Sequence, residues 1–363
     1  MIISRTPFRL PLGGGGTDLP AYYRQFGGSL ITAAVNKYMY INVNQPTIFD
    51  KIKITYSKVE LVSPEEINSI KHEIVRETLK HLQIKNPLEI HSMADLPAGT
   101  GMGSSSSYAI CLLKSLNALI KRDLSVQELA EEACKIEIEL IGKPIGKQDQ
   151  YIASFGGIIQ MDIDTSGKVT VTPLNLNQEI VHELEHRLLI FYTNIERDAN
   201  EILQEQSDKI KSPDSQNSVD KNKTQQAMHT IKAIGQEIKS ALKKGDVTTF
   251  GKLMHEHWMT KKSVSTKMSN PDIDNWYSTA INNGALGGKI MGAGGGGFLL
   301  LCAKEGQRKN IRTAMENMGL KYMDFKFDFE GAKVLVNMQQ NTSSIQANSF
   351  HFFQKKTFFQ NQI

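Results

Sequence analysis

The chain has 363 residues, a formal net charge of +4, and 40% hydrophobic against 22% charged residues. That length allows two domains, and the composition is that of an ordinary globular protein rather than a disordered or fibrous one. No block of five Lys or Arg residues and no apolar run long enough for a membrane span occurs, so neither nucleic acid nor membrane is an expected partner and a cytoplasmic location is expected. Cys111, Cys134 and Cys302 all lie in apolar runs without a C-x-x-C pair. They read as buried, reduced thiols rather than as a disulfide frame or zinc site.

The first segment, Arg5-Thr-Pro-Phe-Arg-Leu-Pro-Leu-Gly-Gly-Gly-Gly-Thr-Asp18, carries four consecutive glycines. Such a run is costly in backbone entropy, and when ordered it marks close approach to a ligand or to another stretch of backbone. Tyr38–Asn44 and Ile52–Tyr56 read as strands. Ser63-Pro-Glu-Glu66 opens an expected helix with a capping box and apolar residues at Ile67, Ile70, Ile74, Leu79 and Leu82.

Residues 97–109, Pro-Ala-Gly-Thr-Gly-Met-Gly-Ser-Ser-Ser-Ser-Tyr-Ala, follow. Alternating glycines let the backbone turn tightly, and four serines then open an apolar helical run through Ile110, Leu113 and Leu116. A helix beginning under a glycine loop is an anion site, because its unpaired N–H groups and positive dipole end face the loop. The pattern is neither a Walker A loop nor G-x-G-x-x-G. A glycine-serine turn that merely caps a helix is the other reading of the same residues.

Ser125-Val-Gln-Glu128 caps a further helix, with Leu129, Ala133, Ile136 and Leu140 on one face and Gly142 as its stop. Ile158–Asp162 and Lys168–Thr172 form an expected hairpin around Thr165-Ser-Gly167, and Arg187–Tyr192 is another strand. Residues 211–226 are polar and read as a mobile loop. Helical patterns then run through Met228, Ile231, Ile234, Ile238 and Leu242, through Leu253 and Trp258, and from Asn270-Pro271 onward. A third glycine cluster, Gly288-Lys-Ile-Met-Gly-Ala-Gly-Gly-Gly-Gly-Phe298, precedes strand-like Gly297–Ala303 and Lys333–Asn337. This mixture argues α+β architecture, divided as domains 1–185 and 186–340, with a tail over 341–363. Asn341-Thr-Ser343 matches a glycosylation sequon without a secretion signal and is read as chance.

The three glycine clusters, in this order, resemble the GHMP small-molecule kinases. Gly13-Gly-Gly-Gly-Thr-Asp-Leu-Pro-Ala-Tyr-Tyr23, Phe26-Gly-Gly28, Asn36-Lys-Tyr38, Gly146-Lys-Gln-Asp-Gln-Tyr151 and Phe155-Gly-Gly157 bring the resemblance closest to the branch of sugar 1-kinases acting on heptose 7-phosphate. The resemblance spans roughly residues 5–300. It implies a ribosomal-protein-S5-like N-terminal domain, a ferredoxin-like C-terminal domain, ATP and Mg²⁺ as cofactors, a small sugar phosphate as substrate, and a monomer or homodimer.

Phosphoryl transfer is mostly positioning and charge neutralisation, which requires a phosphate cradle, a divalent ion and an oriented acceptor hydroxyl. The resemblance assigns the cradle to Pro97, Gly99, Thr100, Gly101, Met102, Gly103, Ser104, Ser105 and Ser106. It makes Ser105 and Glu137 the metal ligands, although Glu137 among Glu131, Glu132 and Glu139 also suits a solvated helix face. Asp149 matches the aspartate that accepts or aligns the hydroxyl proton, and Arg9 the cation beside it. A loop-capping Asp149 and a purely structural ion pair are the alternatives. Gly15, Gly16, Thr17 and Asp18 fall where related kinases hold sugar hydroxyls, and Gly294, Gly295 and Gly296 where the second domain meets the cleft. Asp18 also suits an N-cap, and the late glycines a tight turn. Arg24, Lys37 and Lys147 are the candidate cations for a substrate phosphate.

Overall fold

The computed structural model describes residues 1–195, 199–211, 218–264 and 266–339. The expected tail lies outside these residues, as does the centre of the expected loop over 211–226.

Among the described residues, two sheets organise the chain. The first takes β1 (Ile2–Gly13), β2 (Gly28–Asn44), β3 (Ile52–Thr55), β4 (Val59–Val62), β5 (Leu88–Ala94), β6 (Ile158–Ile163) and β7 (Val169–Pro173). The second takes β8 (Leu188–Tyr192), β9 (Ala285–Ile290), β10 (Phe298–Ala303) and β11 (Lys321–Met323). The last strand, β12 (Lys333–Asn337), returns to the first sheet and pairs antiparallel with β1. Sheet connectivity therefore crosses the expected division at residue 185.

β2 is long enough to serve two neighbours. Its first half pairs with β6 and its second half with β5, while β1 runs antiparallel along nearly its whole length. Pro7 and Pro11 would argue against a central strand, since neither can donate to a ladder. The strand absorbs them with register shifts at Pro7/Phe8 and Pro11/Gly13. The second sheet has the order β11-β8-β10-β9, all antiparallel. With helices between β8 and β9 and between β10 and β11, this is a βαββαβ arrangement, the ferredoxin-like topology.

The helices are α1 (Pro20–Phe26), α2 (Glu73–His81), α3 (Ser104–Leu119), α4 (Val126–Cys134), α5 (Gln148–Phe155), α6 (Gln178–Arg187), α7 (Ala199–Lys211), α8 (Ser218–Lys243), α9 (Val247–Lys262), α10 (Pro271–Asn282) and α11 (Arg308–Asn317). The polar segment is corrected by α7 and α8: Lys211 ends one helix and residues 218–226 form the first turns of the next. Its polar residues suit a helix whose apolar anchors, Met228, Ile231 and Ile238, come later and are fully buried.

α3 is central. Ile110, Leu112, Leu113 and Leu116 are fully buried in one cluster with Phe8 and Leu10 of β1, which fixes the helix start against the strand carrying Arg9. The expected helix from Ser63 breaks instead. Pro64–Ser69 is a 3₁₀ turn, Ser63 makes no side-chain cap, and α2 starts only at Glu73. The Ser125–Glu128 capping box is present on α4. Beyond Cys134 that helix widens into a π turn over Lys135–Leu140, closed by Ile141 N donating to the carbonyl of Ile136 at 3.0 Å. The extra residue per turn rotates the face, leaving Leu140 46% exposed and turning Glu137 fully inward. No described helix is long and apolar enough to cross a membrane, and all three cysteines are buried and free.

Candidate active site

Gly103 caps α3 in the left-handed region at φ 79° with no side chain on the first-turn N–H groups, which leaves them facing outward beneath the loop. Gly99, Gly101, Gly103, Ser104, Ser105 and Ser106 line a cavity of about 320 Å³. Other cradle candidates turn away. Met102 is fully buried in the core, and its carbonyl accepts from Arg9 N at 3.2 Å. Thr100 is buried with its hydroxyl donating to the exposed Pro97 carbonyl at 2.9 Å.

Arg9 and Asp149 meet across the floor of this cavity. Nε and Nη2 of Arg9 donate to Oδ1 and Oδ2 of Asp149 at 2.8 and 2.9 Å, a two-pronged pairing, while Nη1 donates to the Gly101 carbonyl. The arginine is thus tied to both the Gly99–Gly103 loop and the first turn of α5. Its side chain is 8% exposed and that of Asp149 is 25% exposed, so the carboxylate keeps access to the cavity.

Beside the loop, Ser105 Oγ donates to Glu137 Oε1 at 2.5 Å. Lys143 Nζ sits between them, 2.6 Å from Ser105 Oγ and 3.0 Å from Glu137 Oε1, and Gln150 donates to Oε2 at 2.8 Å. The π turn, invisible to periodicity, is what converts Glu137 from a helix-face residue into a buried one. A carboxylate and a hydroxyl side by side are hard oxygen donors suited to Mg²⁺, which takes few protein ligands and keeps water or phosphate oxygens for the rest. No group of three His, Cys, Asp or Glu able to hold a metal occurs among the described residues. A His-Glu-x-x-His pattern at residues 182–186, overlooked in the sequence, lies on α6 with both histidines exposed and Glu183 paired to Arg187.

On the opposite side Asp18 is 6% exposed and accepts from Gly16 N and Gln148 N, each at 3.1 Å. Burial raises its carboxyl pKa, the Gln148 N–H opposes the rise, and neighbouring Asp149 adds to it. Gly146 leaves room for it, since a Cβ there would collide with Asp18 Oδ2. Gly15, Gly16 and Asp18 line the cavity, whereas Thr17 is buried and bonds the carbonyls of Gly14 and Ser29. Gly294, Gly295 and Gly296 do not line it either: Gly295 N donates to the Met268 carbonyl at 2.9 Å, and a Cβ on Gly296 would strike Ile195. Their neighbour Gly297 abuts the Gly99–Gly103 loop so closely that a Cβ on it would run into the Thr100 carbonyl oxygen. The late glycine cluster thus braces the loop and contributes Gly292 and Ala293 to the wall.

The sequence reading missed the cations of that wall. Lys143, Lys261, Lys289 and the ring of His257 all line the cavity. Lys289 is 2% exposed, and its ammonium pKa is pushed well down by burial and by the charges of Lys261 and Arg9. Of the cations named earlier, Lys147 pairs with Glu131 and Lys37 with Asp324, and Arg24 is exposed on α1; none lines the cavity.

A second cavity of about 480 Å³ shares Gly99, Ser104 and Ser105 with the first. It is lined by Tyr56, Met39, Leu96 and the stacked rings of His72 and Tyr108, whose centroids are 4.5 Å apart. An apolar, aromatic cavity joined to a polar one by a phosphate-type loop suits a flat heteroaromatic base attached to phosphates.

Comparison with known proteins places the chain in a family. Residues 68–157 match the GHMP kinases N terminal domain and residues 238–320 the GHMP kinases C terminal domain. The chain is 32% identical, over 92% of its length and 98% of the relative, to D-glycero-alpha-D-manno-heptose 7-phosphate kinase of Campylobacter jejuni. It is 27% identical over 61% of its length to 66% of the galactokinase of Pyrococcus furiosus. Among solved structures, a D-glycero-D-manno-heptose 1-phosphate kinase from Bacteroides thetaiotaomicron superposes with TM-score 0.76 at 26% identity, over 93% of this chain and all of the other. The chain belongs to the GHMP kinase family, and it is a sugar kinase of that family.

Proposed function

We propose that this chain transfers the γ-phosphate of ATP to the anomeric hydroxyl of D-glycero-D-manno-heptose 7-phosphate, giving the 1,7-bisphosphate. The observation that carries the reading is the Arg9–Asp149 pair standing between the phosphate loop and the Asp18 pocket. A nucleotide with its base in the aromatic cavity lays its phosphates along Gly99–Ser106 and its terminal phosphate toward Arg9. The relative from Campylobacter jejuni supplies the substrate class.

Each residue then has a defined task. The α3 N–H groups hold phosphate oxygens through their partial positive charge. Asp18, assisted by the Gln148 and Gly16 amides, accepts from sugar hydroxyls and fixes the ring. Asp149 holds the acceptor hydroxyl and takes its proton as the oxygen bonds to phosphorus and the bond to the ADP oxygen breaks. Arg9 orients the Asp149 carboxylate through its two hydrogen bonds and offsets charge on the transferring group. Ser105 and Glu137 would hold Mg²⁺, which neutralises phosphate charge when bound.

The regiochemistry is checked by ³¹P and ¹³C NMR of the product formed from heptose 7-phosphate and ATP. Coupling of the new phosphorus to the anomeric carbon is expected. Phosphorylation at another hydroxyl would contradict the proposal.

A further inference from the structure

The cavity wall formed by α9 and β9 brings two lysines and a histidine, Lys261, Lys289 and His257, to the same cavity as Asp18. Lys289 of β9 is fully enclosed, and its ammonium donates to the Leu12 carbonyl at 3.1 Å. Lys261 of α9 donates to the Gly292 carbonyl at 2.7 Å. His257, one turn before Lys261, is 1% exposed and lines the cavity, and neither ring nitrogen has a hydrogen-bond partner. A buried imidazole without a partner costs free energy unless a ligand completes it. Its neighbour on the other face of α9, His255, is satisfied by Tyr277 at 2.8 Å, so the contrast belongs to the cavity side.

This wall lies apart from the aromatic cavity. The aromatic cavity touches the first through Gly99, Ser104 and Ser105, and none of His257, Lys261 or Lys289 borders it. The three residues share the first cavity with Asp18, Gly15 and Gly16, and the Lys289 bond to the Leu12 carbonyl sets it beside the start of the Gly13–Gly16 run.

Resting on the proposed sugar-kinase reading, we infer that His257, Lys261 and Lys289 form the subsite for the acceptor's own phosphate, and so select a phosphorylated sugar over a free one. An ammonium pair gives a phosphate dianion charge-assisted bonds, and the imidazole adds an N–H donor. Burial first, and then the charges of Lys261 and Arg9, lower the Lys289 pKa; a phosphate dianion beside Lys289 opposes both effects. Gly15 and Gly16, which border the cavity, place no side chain where the phosphate-bearing arm of the sugar would pass.

The test compares kcat/KM for heptose 7-phosphate with that for the unphosphorylated heptose in the wild type, Lys289→Met, Lys289→Arg and His257→Phe, with calorimetric binding of heptose 7-phosphate in the absence of ATP. The ratio of the two efficiencies is expected to fall by roughly 10- to 100-fold in Lys289→Met, the scale of one charge-assisted hydrogen bond, mainly through KM. A smaller fall is expected for His257→Phe and partial recovery for Lys289→Arg. Equal losses on both acceptors, leaving the ratio unchanged, would overturn the subsite while leaving the kinase intact. A wild type that prefers the free heptose would instead overturn the substrate reading itself. If Lys289→Met does not fold, the His257→Phe ratio and binding decide alone.

Discussion

Arg9 grips Asp149 with two hydrogen bonds at 2.8 and 2.9 Å while its third nitrogen is bonded to the glycine loop at Gly101. One side chain thereby sets the spacing between the carboxylate proposed to take the acceptor proton and the loop proposed to hold the donor phosphates. Lysine offers a point charge and cannot reproduce that fork.

Asp149→Asn keeps the shape of the pair but removes the proton acceptor. Turnover is expected to fall on the order of 100-fold or more, with nucleotide and sugar binding retained, as single-turnover kinetics and calorimetry would measure. Near-normal turnover would remove Asp149 from the chemistry, and loss of binding would make its role structural.

Glu137→Gln and Ser105→Ala each delete an oxygen ligand or its charge. Each is expected to raise the Mg²⁺ concentration giving half-maximal activity, and to weaken Mn²⁺ binding followed by electron paramagnetic resonance in the presence of a non-hydrolysable nucleotide. Unchanged metal dependence in both variants would place the metal elsewhere.

Gly146→Ala forces a methyl into the space that Asp18 Oδ2 occupies. Acceptor KM should rise by at least roughly 10-fold, the usual cost of displacing a positioned hydrogen-bonding group by a fraction of an ångström, with little change in nucleotide affinity. An unaltered acceptor KM would show that Asp18 does not hold the sugar.

The raised carboxyl pKa of Asp18 has a sign that a melting experiment reads. A carboxyl whose folded pKa lies above its unfolded value gives its full contribution to stability below the unfolded value, near 3.8, and loses it as pH rises through the folded value. Asp18→Asn does not titrate. Its melting temperature relative to wild type should therefore improve as pH climbs upward from about 4. A difference that is flat with pH, or of opposite slope, would mean the acid is not strained by burial.

Much of this site was legible in the sequence, because its parts obey local rules. Alternating glycines before an apolar run specify a loop and a helix start, and the Ser125–Glu128 box is present on α4. What was not legible depends on tertiary context. β1 hides behind two prolines that its register shifts absorb. The π turn that buries Glu137 and exposes Leu140 breaks the period on which any helical reading rests. The polar start of α8 carries no apolar signal of its own. Lys289 sits in a glycine-rich run and His257 in an ordinary amphipathic helix, so only the fold reveals that both face one cavity.

The most direct measurement is a coupled assay of ADP release giving kcat/KM for heptose 7-phosphate, mannose, fucose, galactose and mevalonate under identical ATP and Mg²⁺. Heptose 7-phosphate is expected to exceed every other acceptor by at least roughly tenfold, the discrimination that one satisfied charged contact provides. Higher efficiency on free fucose or galactose would contradict the proposed substrate, and turnover with mevalonate alone would contradict a sugar acceptor altogether.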